Sequence, residues 1–237
     1  MAPYLLCLLL GALVAGFLIG LLRGPALHLG LVDIPGGRKA HGGHVPLVGG
    51  VSLFISFASL ALGANQDLGQ YRGLLLGGGI LLIAGVLDDL REIQPLTKAL
   101  AQVLAAAFLV GWGGLQVHHL GHWPELGLLE LAWLAIPFTF LCVVGLVNAV
   151  NMLDGADGLA GGIYLVMLGW ILVVGWMAGN VEFGYLPFIL IGGVLGFLIF
   201  NFPHPWRQNA SVFLGDSGSL FLGFSLAWFA LEVTFTS

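Results

Sequence analysis

Apolar residues in this chain come in long unbroken runs, with the polar residues gathered between them. A run of about 20 apolar residues crosses a bilayer as an α-helix, which satisfies its backbone polar groups internally. Eight such runs predict transmembrane helices at roughly 3–22, 47–64, 73–87, 97–115, 128–147, 160–179, 183–200 and 218–235. The third is short by itself and is predicted to continue past its carboxylates. The first has no basic side chain before it and is longer than a signal-peptide core, so it reads as a retained helix. The pattern therefore predicts an all-α, polytopic membrane bundle, with residues 1–237 forming a single transmembrane domain.

Composition agrees: 59% of the residues are hydrophobic and 8% charged, against about a quarter charged in soluble domains. Cys7 and Cys142 both lie inside apolar runs, which argues against a structural disulfide. The net charge of −5 sums two sides of a membrane and says little about partners. The placement of each sign says more. Arg23, Arg38, Lys39, Arg91, Lys98 and Arg207 flank one alternating set of connections, and Arg72 alone flanks the other. The positive-inside rule then puts the loops at 23–46, 88–97, 148–159 and 201–217 in the cytoplasm, with both termini outside.

That rule is silent about acids, yet Asp33, Asp88, Asp89, Glu92, Asp154, Asp157 and Asp216 all fall on the cytoplasmic side. A charge at bilayer depth costs about 3 kcal/mol even on lenient scales, so such groups need water, a partner or a metal. The richest stretch is Asn148-Ala-Val-Asn-Met-Leu-Asp-Gly-Ala-Asp-Gly158, where Asn148/Asn151 and Asp154/Asp157 each share the three-residue spacing of one helix face. Its bland reading is a polar connector with turn glycines; two Asn and two Asp exceed what a connector needs. The pair Asp88-Asp89 ends the third run, where adjacent carboxylates repel unless a cation or proton lies between them. Mg2+ suits such oxygens, together with water and substrate phosphates; the plain alternative is an acidic helix end at headgroup level. In Gly215-Asp-Ser-Gly-Ser219, Asp216 and Ser217 read either as a helix cap or as part of an anion-facing helix start. The first cytoplasmic loop offers Arg38, Lys39, His41 and His44 among glycines, which suits phosphate binding or simply reflects topology. His118, His119 and His122 read as interfacial histidines of an outer loop, and Gly192/Gly196 as a helix-packing pair. Carboxylates for a metal and cations for phosphate on one face point to phosphoryl transfer. An ion-coupled carrier is the rival from another class, but carriers place their ionisable groups near the midplane on broken helices.

Four motifs in order carry a family resemblance: Asp33…Arg38-Lys39…His41, Asp88-Asp89, Asn148-x-x-Asn-x-x-Asp-Gly-x-Asp-Gly-Leu159, and Gly215-Asp-Ser-Gly-Ser219. With them the chain resembles the polyprenyl-phosphate N-acetylhexosamine-1-phosphate transferases (glycosyltransferase family 4). These are enzymes of the bacterial inner (cytoplasmic) membrane that initiate cell-envelope polysaccharides such as the lipopolysaccharide O-antigen. The resemblance implies transfer of a sugar-1-phosphate from a UDP-sugar to undecaprenyl phosphate, with release of UMP and with Mg2+, or alternatively Mn2+, as cofactor. It implies Asp88 and Asp89 as the catalytic pair and Asp216 as the Mg2+ ligand, with Asp154 as a further metal ligand. Lys39, His41, Asn148, Asn151, Asp154 and Asp157 would bind substrate, at a site facing the cytoplasm; oligomeric state is left open. Val45-Pro-Leu-Val-Gly-Gly50 and Glu92 resemble the GlcNAc-1-phosphate transferase branch. Longer members continue into further helices and a histidine-rich fifth cytoplasmic loop, whereas this sequence ends at Ser237. The expectation is therefore an enzyme, with an incomplete homologue kept for binding or assembly as the alternative.

Overall fold

A computed structural model describes residues 2–33, 43–64, 68–125, 127–179 and 184–235. Among them are eight α-helices: α1 (Ala2–Leu29), α2 (Gly49–Gly63), α3 (Tyr71–Arg91), α4 (Pro95–Gly111), α5 (Ala135–Leu153), α6 (Leu159–Ala178), α7 (Leu186–Asn201) and α8 (Gly215–Phe235). Five are long and apolar enough to cross a membrane: α1, α3, α6, α8 and α5 with the 3-10 turn before it. The other three, α2, α4 and α7, are shorter apolar helices. The chain is thus a multi-pass membrane helix bundle.

Each predicted run became a helix, with shifted ends. The third reaches Arg91 and carries its carboxylates inside its last turn, as its polar end predicted. The fifth begins at Ala135, not 128, because β3 (His119–Trp123) and β4 (Gly127–Glu130) pair antiparallel ahead of it. His119 and His122 sit on that hairpin, and His118 just before it. Pro95 opens α4 at its first turn, where its missing N–H costs no hydrogen bond.

Helix α8 is the axis of the bundle. A helix that is apolar all round has no solvent face and belongs inside. Leu220, Phe221, Leu222, Phe224, Leu226, Trp228 and Phe229 are all fully buried, and α3, α5, α2 and α6 pack around them. By contrast α1 turns Leu13 and Phe17 outward, and α6 turns out Trp170 and Trp176. Lipid is the solvent for those side chains. On its inner side α1 packs closely on α7: a Cβ on Gly192 would strike Leu8 O and one on Gly196 would strike Ala12 O. Small residues are what allow two backbones to approach so closely.

Helices α3 and α8 run antiparallel and are tied at both ends. At one end the amides of Asp216 and Ser217 donate to Asp89 at 2.8 and 3.2 Å. At the other, Tyr71 Oη and Gln70 Nε2 donate to Glu232 Oε1 at 2.5 and 2.8 Å. The first of these ties lies where the acids gather.

Candidate active site

Three chain segments meet at that end of the bundle. The end of α3 brings Asp88 and Asp89, the turn after α5 brings Asp154 and Asp157, and the start of α8 brings Asp216. All five line one open cavity of about 1180 Å3, with Asp33, Glu92 and Phe213 also on its wall. Asp33 belongs to a two-residue strand, β1 (Val32–Asp33), paired antiparallel with β2 (Val45–Pro46). Lys39 and His41, predicted to touch phosphates, lie with Arg38 outside the described residues. The two ends of their loop meet in this ribbon beside the cavity.

The segment after β2 holds the start of α8 in place. Phe213 N donates to Pro46 O, while Gly49 N and Gly50 N donate to Phe213 O and Leu214 O, all at 2.9–3.0 Å. Gly215 has φ +74°, a backbone conformation that side-chain-bearing residues rarely adopt. Its turn aims the first amides of α8 at Asp89. Gly85 on α3 faces the same turn, and a Cβ there would collide with the backbone of Ser217. The glycines therefore set how closely α3 and α8 approach.

The two adjacent aspartates have different partners. Both oxygens of Asp89 accept amides of α8, so Asp89 caps that helix across the α3–α8 contact. Asp88 Oδ1 accepts the Ile93 amide at 2.8 Å, and its Oδ2 accepts Lys98 Nζ at 2.8 Å. Lys98 also donates to Asp216 Oδ2, so one ammonium bridges the carboxylates of α3 and α8. Sequence reasoning used Lys98 only as a marker of topology. Its nearness to Asp88 arises because Glu92, in the left-handed region at φ +35°, ends α3 and the chain folds back into α4.

Asn151 Nδ2 donates to Asp216 Oδ1 at 2.9 Å and to Ser219 Oγ at 2.8 Å, fixing the aspartate from the α5 side. Asn148 lies about one helical turn deeper. It exchanges hydrogen bonds with Gln102 of α4 and donates to Val144 O, and neither Asn148 nor Asn151 is on the cavity wall. Asp157 Oδ2 accepts the Ala210 amide at 2.8 Å, tying the turn after α5 to the loop before α8. Asn201, unremarked in the sequence, adds a second tie: it accepts from Gly158 N and donates to Val212 O.

Asp154 lies deepest in charge terms. Burial, then the carboxylates of Asp216 and Asp89, push its pKa up to about 8. Asp88 and Asp216 share the one Lys98 ammonium, and Asp89 and Asp154 stand with them on the cavity wall. Among the described residues no three His, Cys, Asp or Glu side chains form a ready-made metal cage. Mg2+ does not require one, since it takes one or two carboxylates and completes its shell with water and substrate phosphate oxygens. The hard carboxylate oxygens gathered on one wall fit that ion.

Residues 71–234 match the model of the family described as glycosyl transferase family 4. A Bacillus subtilis (strain 168) protein named as a probable undecaprenyl-phosphate N-acetylglucosaminyl 1-phosphate transferase is 36% identical over 208 residues, 87% of this chain and 56% of its own length. Undecaprenyl-phosphate alpha-N-acetylglucosaminyl 1-phosphate transferases of Yersinia pestis and Escherichia coli (strain K12) are 33% and 32% identical, each over 90% of this chain and 58% of their own length. The chain thus spans a little over half the length of these relatives.

Proposed function

The chain belongs to glycosyl transferase family 4, and from that premise we propose that it transfers N-acetylhexosamine-1-phosphate, GlcNAc-1-phosphate above all, from a UDP-sugar to undecaprenyl phosphate. The observation that carries this reading is the meeting of Asp88, Asp154 and Asp216 with Lys98 at one open end of a membrane bundle. A soluble charged donor can reach such a site from water while a lipid acceptor stays in the bilayer. The site then faces the cytoplasm of a bacterial inner membrane, with both chain ends on the far side, as the distribution of basic residues predicts.

In the reaction an oxygen of the lipid phosphate attacks the β-phosphorus of the UDP-sugar. The bond from that phosphorus to the bridging oxygen breaks, UMP leaves, and the sugar-1-phosphate stays on the lipid as a pyrophosphate. Asp88 takes the proton of the lipid phosphate; its carboxylate lies on the cavity wall beside the Lys98 ammonium. Asp89 acts through α8, whose first two amides its oxygens hold in place. Asp216 and Asp154 would hold Mg2+ or Mn2+, which when bound supplies positive charge to the pyrophosphate oxygens. Asn151 orients Asp216, and Asp157 keeps the turn after α5 against the loop that carries Phe213. Phe213 is the aromatic ring on the cavity wall, and a flat apolar face there suits stacking of a nucleobase. Lys39 and His41 would add phosphate contacts from the first loop, and Asn148 acts through Gln102.

Purified protein supplied with undecaprenyl phosphate, UDP-GlcNAc and Mg2+ is expected to release UMP, and to stop when either the lipid or the metal is left out. UMP release without the lipid would replace transfer by hydrolysis.

A further inference from the structure

Asp88 and Asp216 are each held by a neutral donor on one oxygen and by Lys98 on the other. Asp88 Oδ1 accepts the Ile93 amide at 2.8 Å, and Asp216 Oδ1 accepts Asn151 Nδ2 at 2.9 Å. Both donors are independent of Lys98, one being backbone between α3 and α4 and the other a side chain of α5. The remaining oxygens, Asp88 Oδ2 and Asp216 Oδ2, converge on one point, and the Lys98 ammonium fills it. Two carboxylate oxygens from different helices, already oriented by other groups, make a seat for a cation.

Local structure does not favour an ammonium there. Lys98 lies in the first turn of α4, the helix end where the macrodipole opposes positive charge. Its side chain is 18% exposed, so it has also given up water and the rotamer freedom of a long chain. Its two carboxylate partners offset those costs. Lysine is a compact point charge on a flexible stem, so it can leave one partner and keep the other. A divalent ion also takes hard carboxylate oxygens, and beside an ammonium on the same carboxylate it would be strongly repelled. The two cations cannot share Asp216 cheaply.

From this arrangement we infer that Lys98 is a built-in counter-ion of the site, which competes with the divalent cation for Asp216 and yields that oxygen while staying on Asp88. The inference rests on the reading in which Asp216 holds the metal. A static salt bridge joining α3, α4 and α8 is the alternative, and the two differ in sign. Removing a purely structural Lys98 would loosen the site and weaken metal binding. Removing a competing counter-ion tightens it.

The test is Mn2+ titration of the purified full chain in detergent without substrate, with free Mn2+ counted by electron paramagnetic resonance. Lys98→Met, which keeps most of the stem and loses the charge, is expected to bind Mn2+ about tenfold more tightly than the native protein, a small part of the repulsion between neighbouring cations. Lys98→Arg keeps a cation and is expected to bind no more tightly than native, while Asp216→Asn should lose the binding. Thermal unfolding reports whether each variant is folded, and Lys98→Gln carries the same test if Lys98→Met is not. In the native protein, reductive methylation of Lys98, read by peptide mass spectrometry, is expected to speed up severalfold when Mn2+ is added. Equal or weaker binding by folded Lys98→Met, with Asp216→Asn deficient, would overturn the inference and leave the metal reading standing. So would tighter binding by Lys98→Arg, or a methylation rate indifferent to Mn2+. Mn2+ bound by neither native nor Lys98→Met protein, or bound as well by Asp216→Asn, would overturn the metal reading and the inference with it.

Discussion

Asp88 and Asp89 follow one another in sequence, yet one meets the Lys98 ammonium of α4 and the other meets the amides of α8. Two substitutions therefore separate their roles. Asp88→Asn is expected to leave thermal unfolding in detergent nearly unchanged and to lower the transfer rate by about 10²–10⁴, the usual share of a general base. Asp89→Ala removes two hydrogen bonds to a half-buried carboxylate and is expected to cost about 1–3 kcal/mol of stability, with the melting temperature falling accordingly. A normal melt for Asp89→Ala would make its capping role incidental. At this scale the carboxylates were legible, because acids at the ends of apolar helices demand an explanation from burial alone. Lys98 was not, since its approach to Asp88 depends on how the chain reverses between α3 and α4. Asn148 was read like Asn151 because three-residue spacing gives a common face. Spacing does not report depth, and one turn further in the neighbour is Gln102.

Among the elements, the contact of α3 with α8 decides the site, because it fixes Asp88 relative to Asp216. Gly85→Ala places a methyl group against the backbone of Ser217, and overpacking of this kind costs about 1–3 kcal/mol. A shift of α8 by about 1 Å can also cost 10²-fold in rate, so kcat is expected to fall more than stability alone would require. The far end offers a control. Glu232→Ala leaves Tyr71 Oη and Gln70 without their acceptor and should lower stability by about 1–3 kcal/mol. Glu232→Gln keeps an accepting oxygen and should recover most of it; thermal unfolding of the pair checks this. The helices themselves were readable from hydrophobic run length. The β3–β4 hairpin was not: Leu-Gly-Leu-Leu-Glu-Leu-Ala at 126–132 is as apolar as a helix start. The strand state of Gly127–Glu130 depends on pairing with 119–123, which a run-length argument cannot see.

For the whole molecule, five aspartates collect at one end of the bundle, and the proposal that this end faces the cytoplasm rests on the basic residues alone. Trp206, in the loop before α8, and Trp123, on the β3–β4 hairpin, are both exposed and lie toward opposite ends of the bundle. In a background lacking Cys7 and Cys142, cysteine at 206 should react with a membrane-impermeant reagent only after the cells are opened. Cysteine at 123 should react from outside intact cells. The reverse labelling would invert the topology and place the acidic cavity outside. The phosphate-binding reading of Lys39 and His41 falls on residues outside the described ones, and the described ends of that segment stand beside the cavity in β1 and β2.

The central claim is that these helix ends form one site for moving a sugar-1-phosphate onto a lipid. It is tested most directly by following labelled GlcNAc from UDP-GlcNAc into the organic phase, with purified full chain, undecaprenyl phosphate and Mg2+. The account predicts lipid-linked label from the native protein, matched by an equal amount of UMP, and almost none from a folded Asp88→Asn variant. No lipid-linked label from well-folded native protein, or equal label from native and Asp88→Asn proteins, would contradict it.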